Sequence, residues 1–255
     1  LSEDFSPDEM MSVAAARELA DGAVCFVGIG LPSTAANLAR LNHAPSVVLV
    51  YESGTIGSKP PTLPLSIGDG ELAETADSVV PVPEIFNYWL QGERIDVGFL
   101  GAAQIDRFAN LNSTVIGDYD KPKVRLPGGG GAPEIAAMAE QVIVIIRQST
   151  RSFVERLHFR SSIGYGDGPG DRERLKLPGR GPTVVITDLG VLRPDPESCE
   201  LTMTQVHPGV DADQAREATG WDLKVSDELT ESEEPTRQEL GILRELKATV
   251  EKVEG

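Results

Sequence analysis

The sequence predicts an α/β fold, an open and mainly parallel sheet flanked by helices, from three observations. Short apolar runs of strand length alternate with segments of helical periodicity along most of the chain. Glycine-containing turns join several of these runs to the helices that follow. Polar residues gather just beyond the strand ends, where open α/β sheets build their sites.

The elements follow in order. Ser6 caps a helix, Pro7 suits its first position and Glu9 completes a capping box, so a helix is predicted from Pro7 to about Leu19, with its stop at Asp21-Gly22. AVCFVGIG is a short strand ending in glycines. LPSTAANLARLN is a helix with Leu31, Ala35, Leu38 and Leu41 at helical spacing, and VVLVY is a second strand. This β-α-β order favours parallel pairing, with a ligand site beyond the carboxyl ends of the strands. Helix is expected over Pro83–Gln91, strand in IDVGFLG, helix in PEIAAMAEQ and strand in VIVIIR. VVIT near Val184 and LTMTQV near Leu201 are expected to form an antiparallel pair. DADQAREATG is a capped helix stopping at Gly220, and a last helix from Thr236 to about Val253 carries Leu240, Leu243, Leu246 and Val250 on one face. Residues 54–79 and 161–182 break the alternation; loops of that length are functional or buried, and the second is read as a mobile flap. No internal repeat or long linker appears, so residues 1–255 are taken as a single domain.

Composition narrows the function. The 255 residues are 40% hydrophobic, enough for one large domain, and contain no transmembrane-length apolar run. Forty acidic residues against 23 basic ones give a net charge of −17, which argues against nucleic acid or an anionic membrane as partner. Much of that charge lies around DELTESEEPT and is read as a solvated face. Cys25 and Cys199 show no CxxC or metal spacing and fit a reducing compartment; Cys25 sits in an apolar run as a core residue. The opening LSEDFSPDEMM has no basic segment followed by an apolar one, so a cytoplasmic location is expected.

Chemistry-bearing motifs are few. Gly28-Ile29-Gly30 opens a helix after a strand, but Ser33 stands where a dinucleotide fingerprint needs its third glycine, so a tight turn is the plainer reading. In PGGGGAP, Pro127–Pro133, four glycines precede a helix; ordering them costs conformational entropy, which points to close backbone approach or to exposed amide donors for an anion or oxyanion. Gln104, Asp106, Arg107, Asn110 and Asn112 crowd just after a strand end, where scaffolding is as good a reading as substrate contact. His43, His158 and His207 share no metal-binding spacing, and neither HExxH nor Gly-x-Ser-x-Gly occurs, so no metal site and no serine hydrolase is expected. With 5% aromatics and two tryptophans a sugar platform is absent, although Asp69 or Glu71 would supply a second acid for paired-carboxylate chemistry. What is left is Glu52, a carboxylate ending the apolar run of VVLVYESGTIG. A carboxylate there is a general base or a nucleophile for an acyl group, with backbone amides available for the oxyanion.

The series VGIGLPS, YESG, LGAAQID and GGGGAPE resembles the β subunit of family I coenzyme A transferases, from about Glu9 to Val253. The serine and glycine after Glu52 place it with the glutaconate CoA-transferase-like branch rather than with the Glu-Asn-Gly acetoacetate type. Within that branch, GAVCFVGIGLPS, SIGDGELAETAD and IGDYDKPKVRLPG look most like β subunits of 3-oxoadipate CoA-transferases.

The resemblance implies the NagB/RpiA/CoA transferase-like fold and ping-pong covalent catalysis in which Glu52 carries first the acyl group of succinyl-CoA and then CoA itself. It implies that Gly131, with Gly130 beside it, lends an oxyanion amide. Gly28, Gly30, Ser53, Gly54 and Gln104 would line the substrate and CoA site. It implies a coenzyme A thioester as substrate with no permanently bound cofactor, and a dicarboxylic acid as acceptor, 3-oxoadipate before glutaconate. The partner would be an α subunit, in an αβ or α2β2 assembly serving aromatic-compound degradation. A ring-cleaving hydrolase group shares the fold but lacks this glutamate. A non-catalytic acyl-CoA-binding subunit is the reading from another class.

Overall fold

The computed structural model describes residues 4–254, with side chains to residue 248, so the predicted apolar contact of Val250 lies outside the described side chains. The chain forms two compact units, residues up to Phe99 together with those from Glu234 onward, and Leu100–Glu233.

In the first unit α1 (Pro7–Arg17) begins as predicted. The Ser6 hydroxyl accepts from the Glu9 N–H at 3.2 Å, and the Glu9 carboxylate accepts from the Ser6 N–H at 2.8 Å. β1 (Val24–Val27), α2 (Leu31–Leu41) and β2 (Val48–Tyr51) form the expected β-α-β unit. β1 and β2 pair in parallel from Val24↔Val48 to Val27↔Tyr51, so both strands leave the sheet at the same level. β3 (Thr55–Ile56) turns back on β2, and after α3 (Gly70–Glu74) comes β4 (Ser78–Val79), antiparallel to β3. The two ends of segment 54–79 therefore extend the sheet as short antiparallel strands, with a turn-rich stretch and α3 between them. The predicted helix over 83–91 is one turn of α4 (Val82–Glu84) continuing as a π-helix, Ile85–Leu90. β5 (Val97–Leu100) then runs parallel to β1 on its other side.

The second unit opens with two small antiparallel pairs, β6 (Gln104–Ile105) with β7 (Leu111–Asn112) and β8 (Val115–Gly117) with β9 (Pro122–Arg125). α5 (Ala132–Met138) leads into β10 (Gln141–Ile145), a strand buried along nearly its whole length. After α6 (Asp171–Arg174), β11 (Pro182–Ile186) pairs in parallel with β10. β12 (Gly190–Pro194) then lies antiparallel to both β11 and β13 (Leu201–Val206), which corrects the expected direct pairing of VVIT with LTMTQV. Glycine and proline at the two ends of GVLRP made that strand look like turn. α7 (Ala212–Glu217) has the capping box of Asp211 and Gln214, and β14 (Lys224–Glu231) runs parallel to β13. The first half of the acidic stretch is thus part of an edge strand, largely exposed; charge on such an edge discourages pairing with other chains.

Segment 161–182 is not the free flap its glycines suggest. Asn110, fully buried, donates to the Gly166 carbonyl at 2.7 Å and accepts from the Gly164 and Gly166 amides at 2.9 and 3.1 Å. The Arg172 guanidinium, also buried, donates to the carbonyls of Gly164, Gly179, Ala136 and Ala137. α8 (Arg237–Glu254) belongs to the first unit; Thr236 caps it, and Leu240, Leu243 and Leu246 are buried. Parallel pairing at the centre of the first unit and between β10 and β11, with helices packed alongside, realises the expected α/β class. Among the described residues no helix is long and apolar enough to cross a membrane.

Candidate active site

The end of β2 is anchored before it delivers its carboxylate. Tyr51 is fully buried, its hydroxyl 3.2 Å from the Ser33 hydroxyl on α2, and burial pushes the phenol above its ordinary value. Asn37 donates to the Ser33 carbonyl at 3.0 Å and accepts from Arg40, so one face of α2 is a polar brace for the strand end. The sequence reading missed this brace; a tyrosine closing an aliphatic strand, with Ser33 and Asn37 one helical turn apart, was the available signal.

Glu52 follows at once, in a turn. It is half-buried, and among the described residues its carboxylate has no hydrogen bond or ion pair. The turn closes through the Gly54 amide, which donates to the Tyr51 carbonyl at 3.0 Å. Gly54 has φ +110°, and a Cβ there would lie 2.0 Å from the Val80 carbonyl oxygen, so only glycine fits. The Ser53 and Thr55 hydroxyl oxygens are buried without partners on either side of it. Thr55, 3% exposed, is a second residue that sequence reading did not single out. Because Val27 pairs with Tyr51, Gly28 and Glu52 leave the sheet from adjacent strand ends. Gly28 is half-buried over Pro32, and Gly30, exposed at φ +84°, caps α2 by accepting from the Thr34 amide at 3.0 Å. The register therefore sets Gly28 beside Glu52, Ser53 and Gly54 in the first unit, and Gly30 follows two residues on at the start of α2.

In the second unit, Gln104 is buried and bonded. Its carbonyl oxygen accepts from the Asn112 side chain at 2.8 Å and the His158 amide at 3.3 Å, and its nitrogen lies 3.4 Å from His158 Nδ1. Asp106 accepts from the Phe108 and Asn110 amides and the Asn110 side chain; burial raises its carboxyl above the ordinary value despite these bonds. Arg107 faces Glu155 and Glu200 at 3.7 and 3.8 Å. In the glycine loop Gly130 has φ +50° with open space where a side chain would stand, and Gly131 precedes α5 in ordinary helical backbone, φ −78°. The Gly131 carbonyl accepts from the Glu134 and Ile135 amides, whereas among the described residues no acceptor meets its own N–H.

Other groups are structural. Cys25 is buried, which pushes its thiol far above the ordinary value, and both cysteines are free. His207 is buried between Ser232 and the Thr187 carbonyl. No cluster of histidine, cysteine and carboxylate side chains among the described residues could hold a metal ion.

A sequence model of the family described as coenzyme A transferase matches residues 8–218. The chain belongs to the coenzyme A transferase family. Among its relatives, the B subunit of 3-oxoadipate CoA-transferase from Pseudomonas knackmussii is 62% identical, over 96% of this chain and 94% of that protein. The B subunit of glutaconate CoA-transferase from Acidaminococcus fermentans is 36% identical, over 95% of this chain and 92% of that protein. The crystal structure of glutaconate coenzyme A-transferase from the same organism superposes with a TM-score of 0.89 at 33% identity, covering 96% of this chain and 95% of that one. For a coenzyme A transferase an unpartnered carboxylate at a strand end has a chemical use, since a thioester carbonyl is an acceptor for just such a group.

Proposed function

We propose that this chain is the β subunit of a transferase that moves CoA from succinyl-CoA to 3-oxoadipate through covalent intermediates on Glu52. The observation that carries the chemistry is the Glu52 carboxylate, presented from a braced strand and, among the described residues, committed to no other group. The acceptor acid rests on the 62% identity to the B subunit of a 3-oxoadipate CoA-transferase over nearly the whole chain. A Glu52 oxygen attacks the thioester carbonyl and CoA thiolate leaves, giving a succinyl-glutamyl anhydride. The thiolate then attacks the glutamyl carbonyl, succinate departs, and Glu52 holds CoA as a thioester. The acceptor carboxylate attacks that thioester, and the thiolate released finally takes the acceptor's acyl group and regenerates Glu52. Each addition places negative charge on a carbonyl oxygen, and the unengaged Gly131 amide, with Gly130 giving the loop its turn, is assigned to that oxyanion. Gly28, Gly30, Ser53 and Gly54 give room at Glu52, and Gln104 keeps a side-chain N–H for a ligand, bonded only at 3.4 Å.

The rest of the reading follows from this chemistry. CoA arrives as a thioester substrate, and no resident cofactor is invoked. An α-type subunit completes the enzyme as αβ or α2β2, a cytoplasmic assembly in aromatic-compound breakdown. The family match runs from residue 8 to 218 through both units, which supports treating the chain as one functional domain.

Trapping tests the proposal. The purified complex treated with succinyl-CoA and then borohydride or hydroxylamine is expected to carry its modification on the peptide containing Glu52. Tight CoA binding with no modification would overturn the covalent mechanism in favour of a non-catalytic binding subunit. The 36% identity to a glutaconate CoA-transferase subunit favours glutaconate as the second acceptor. Turnover of the two acids side by side decides between them, and a strong preference for glutaconate would replace the first choice.

A further inference from the structure

The second unit contains a cleft of about 700 Å³ whose occupant the covalent chemistry does not specify. Its floor includes Ile116, Val124 and Val154, and its rim includes Arg151, Glu155, Arg156 and His158. The charges of this rim are unevenly satisfied. Arg160, Arg174, Arg180 and Arg216 of the same unit each face a carboxylate at 3.0 Å or less. Arg151 and Arg156 are exposed and, among the described residues, have no ion pair, hydrogen bond or ring contact. The one carboxylate on the rim, Glu155, is turned to Arg107 at 3.7 Å.

The histidine adds a donor. His158 Nδ1 accepts from the Gly117 amide at 3.1 Å, which places the proton of a neutral ring on Nε2. Among the described residues that nitrogen has no acceptor. Two guanidiniums and an imidazole N–H therefore offer donors over an apolar floor, and the rim's single carboxylate, Glu155, pairs with Arg107 and with neither Arg151 nor Arg156. A site with that donor set recognises an oxyanion, because guanidinium forks match carboxylate and phosphate geometry. Its size and apolar lining suit an organic ligand rather than an inorganic ion.

We infer that Arg151, Arg156 and His158 form the subsite for an anionic end of the substrates, either the carboxylate that does not react with CoA or a phosphate of CoA. The inference rests on the transferase reading for its ligand class. Its test is equilibrium binding, which needs no turnover and so separates its failure from that of Glu52 catalysis.

Calorimetry on the assembled complex compares adipate, a six-carbon dicarboxylate, with coenzyme A and 3′-dephospho-coenzyme A. In the double variant Arg151→Ala/Arg156→Ala at least one of these ligands is expected to bind about tenfold more weakly, or worse, as for loss of a charge-assisted bidentate contact. Lys at both positions restores part of the loss. Weaker adipate binding assigns the carboxylate. A lost preference for coenzyme A over its dephospho form, or weakening of both nucleotides alike, assigns the phosphates. The control Arg174→Ala, on an exposed ion pair, changes none of the three. If the double variant binds all three within twofold of the wild type, the subsite does not exist, and a simultaneous loss of α-subunit assembly would assign these arginines to a subunit contact instead.

Discussion

Two stretches that each follow a strand of the sheet end in opposite electrostatic states. After β2, the turn Glu52–Thr55 holds a carboxylate and two hydroxyl oxygens with no partner among the described residues. After β5, the knot of residues 104–112 ties its side-chain amides and its buried carboxylate into hydrogen bonds, Gln104 to Asn112 and His158, Asp106 to Asn110, and Asn110 onward to Gly164 and Gly166. Leaving polar groups unsatisfied near a core costs free energy, and a fold retains such groups where a ligand or a reaction uses them. The first stretch reads as chemistry held ready and the second as scaffold, apart from the one Gln104 N–H left for a ligand.

The largest effect that would break this comparison is at Glu52. Glu52→Gln keeps the size and loses the nucleophile, so turnover by the complex is expected to fall at least about a thousandfold. Because the carboxylate bonds to nothing described in the fold, the unfolding free energy should move by the small amount typical of a surface change, within about 0.5 kcal/mol. Near-normal turnover by a freshly prepared variant, checked by mass for deamidation back to glutamate, would make Glu52 a structural residue like those of the knot.

Gly131→Val asks whether the amide ahead of α5 belongs with the first class. Its backbone is ordinary helical, φ −78°, so a side chain is expected to be accepted. Displacing an oxyanion donor costs about 2.7–4 kcal/mol of transition-state stabilisation, a hundredfold to a thousandfold in kcat, with the melting curve nearly unchanged. Unaltered kcat in a folded complex removes the loop from the mechanism.

How much of this was legible in the sequence follows the same division. Local rules carried the capping box at Ser6 and Glu9, the β-α-β start and the position of Glu52, because each is written within a few residues of itself. They missed β12, whose terminal glycine and proline imitate a turn, and β14, whose acidic residues hide an edge strand behind a solvated composition. Above all they missed Asn110 and Arg172. Asn110 meets Gly166 56 positions away and Arg172 reaches Ala136 36 positions away, and no periodicity encodes which backbone carbonyl a distant side chain will meet. That Glu52 has no partner among the described residues was hidden for the converse reason: an absence of contacts is decided by everything that folds elsewhere.

The knot is tested by Asn110→Ala, the next effect in size. The substitution leaves the amides of Gly164 and Gly166 and the Gly166 carbonyl without their acceptor or donor in a buried setting. A loss of about 2–3 kcal/mol in urea unfolding is expected, with proteolysis focusing on 161–182. Stability within about 0.5 kcal/mol of the wild type, measured on the isolated chain and the complex, would show that the flap reading was the better one.

The smallest effect concerns carboxylates that the fold does commit. Glu239 takes a two-point contact from Arg17, at 2.9 and 2.8 Å, and caps α8 through Thr236, while Glu9 pairs with Arg244 at 2.8 Å and caps α1. Burial by itself would raise both carboxyls, but the arginine and capping bonds outweigh it and hold both below the ordinary value of 4.5. In that range the unfolded chain binds more protons than the folded one, so stability rises with pH. The contribution is fully present above about pH 4.5 and is lost as pH falls through the lower folded values. In each pair a buried carboxylate meets a partly exposed arginine, and solvent screening on the arginine side keeps each pair's worth to about 1 kcal/mol. In Glu9→Gln/Glu239→Gln the fall in melting temperature between about pH 5 and pH 3 should be shallower than in the wild type, with the two curves converging at the acid end. A parallel pair of curves for the double variant and the wild type would mean that these ion pairs do not carry the acid sensitivity, and the contrast between committed and uncommitted carboxylates would then rest on Glu52 alone.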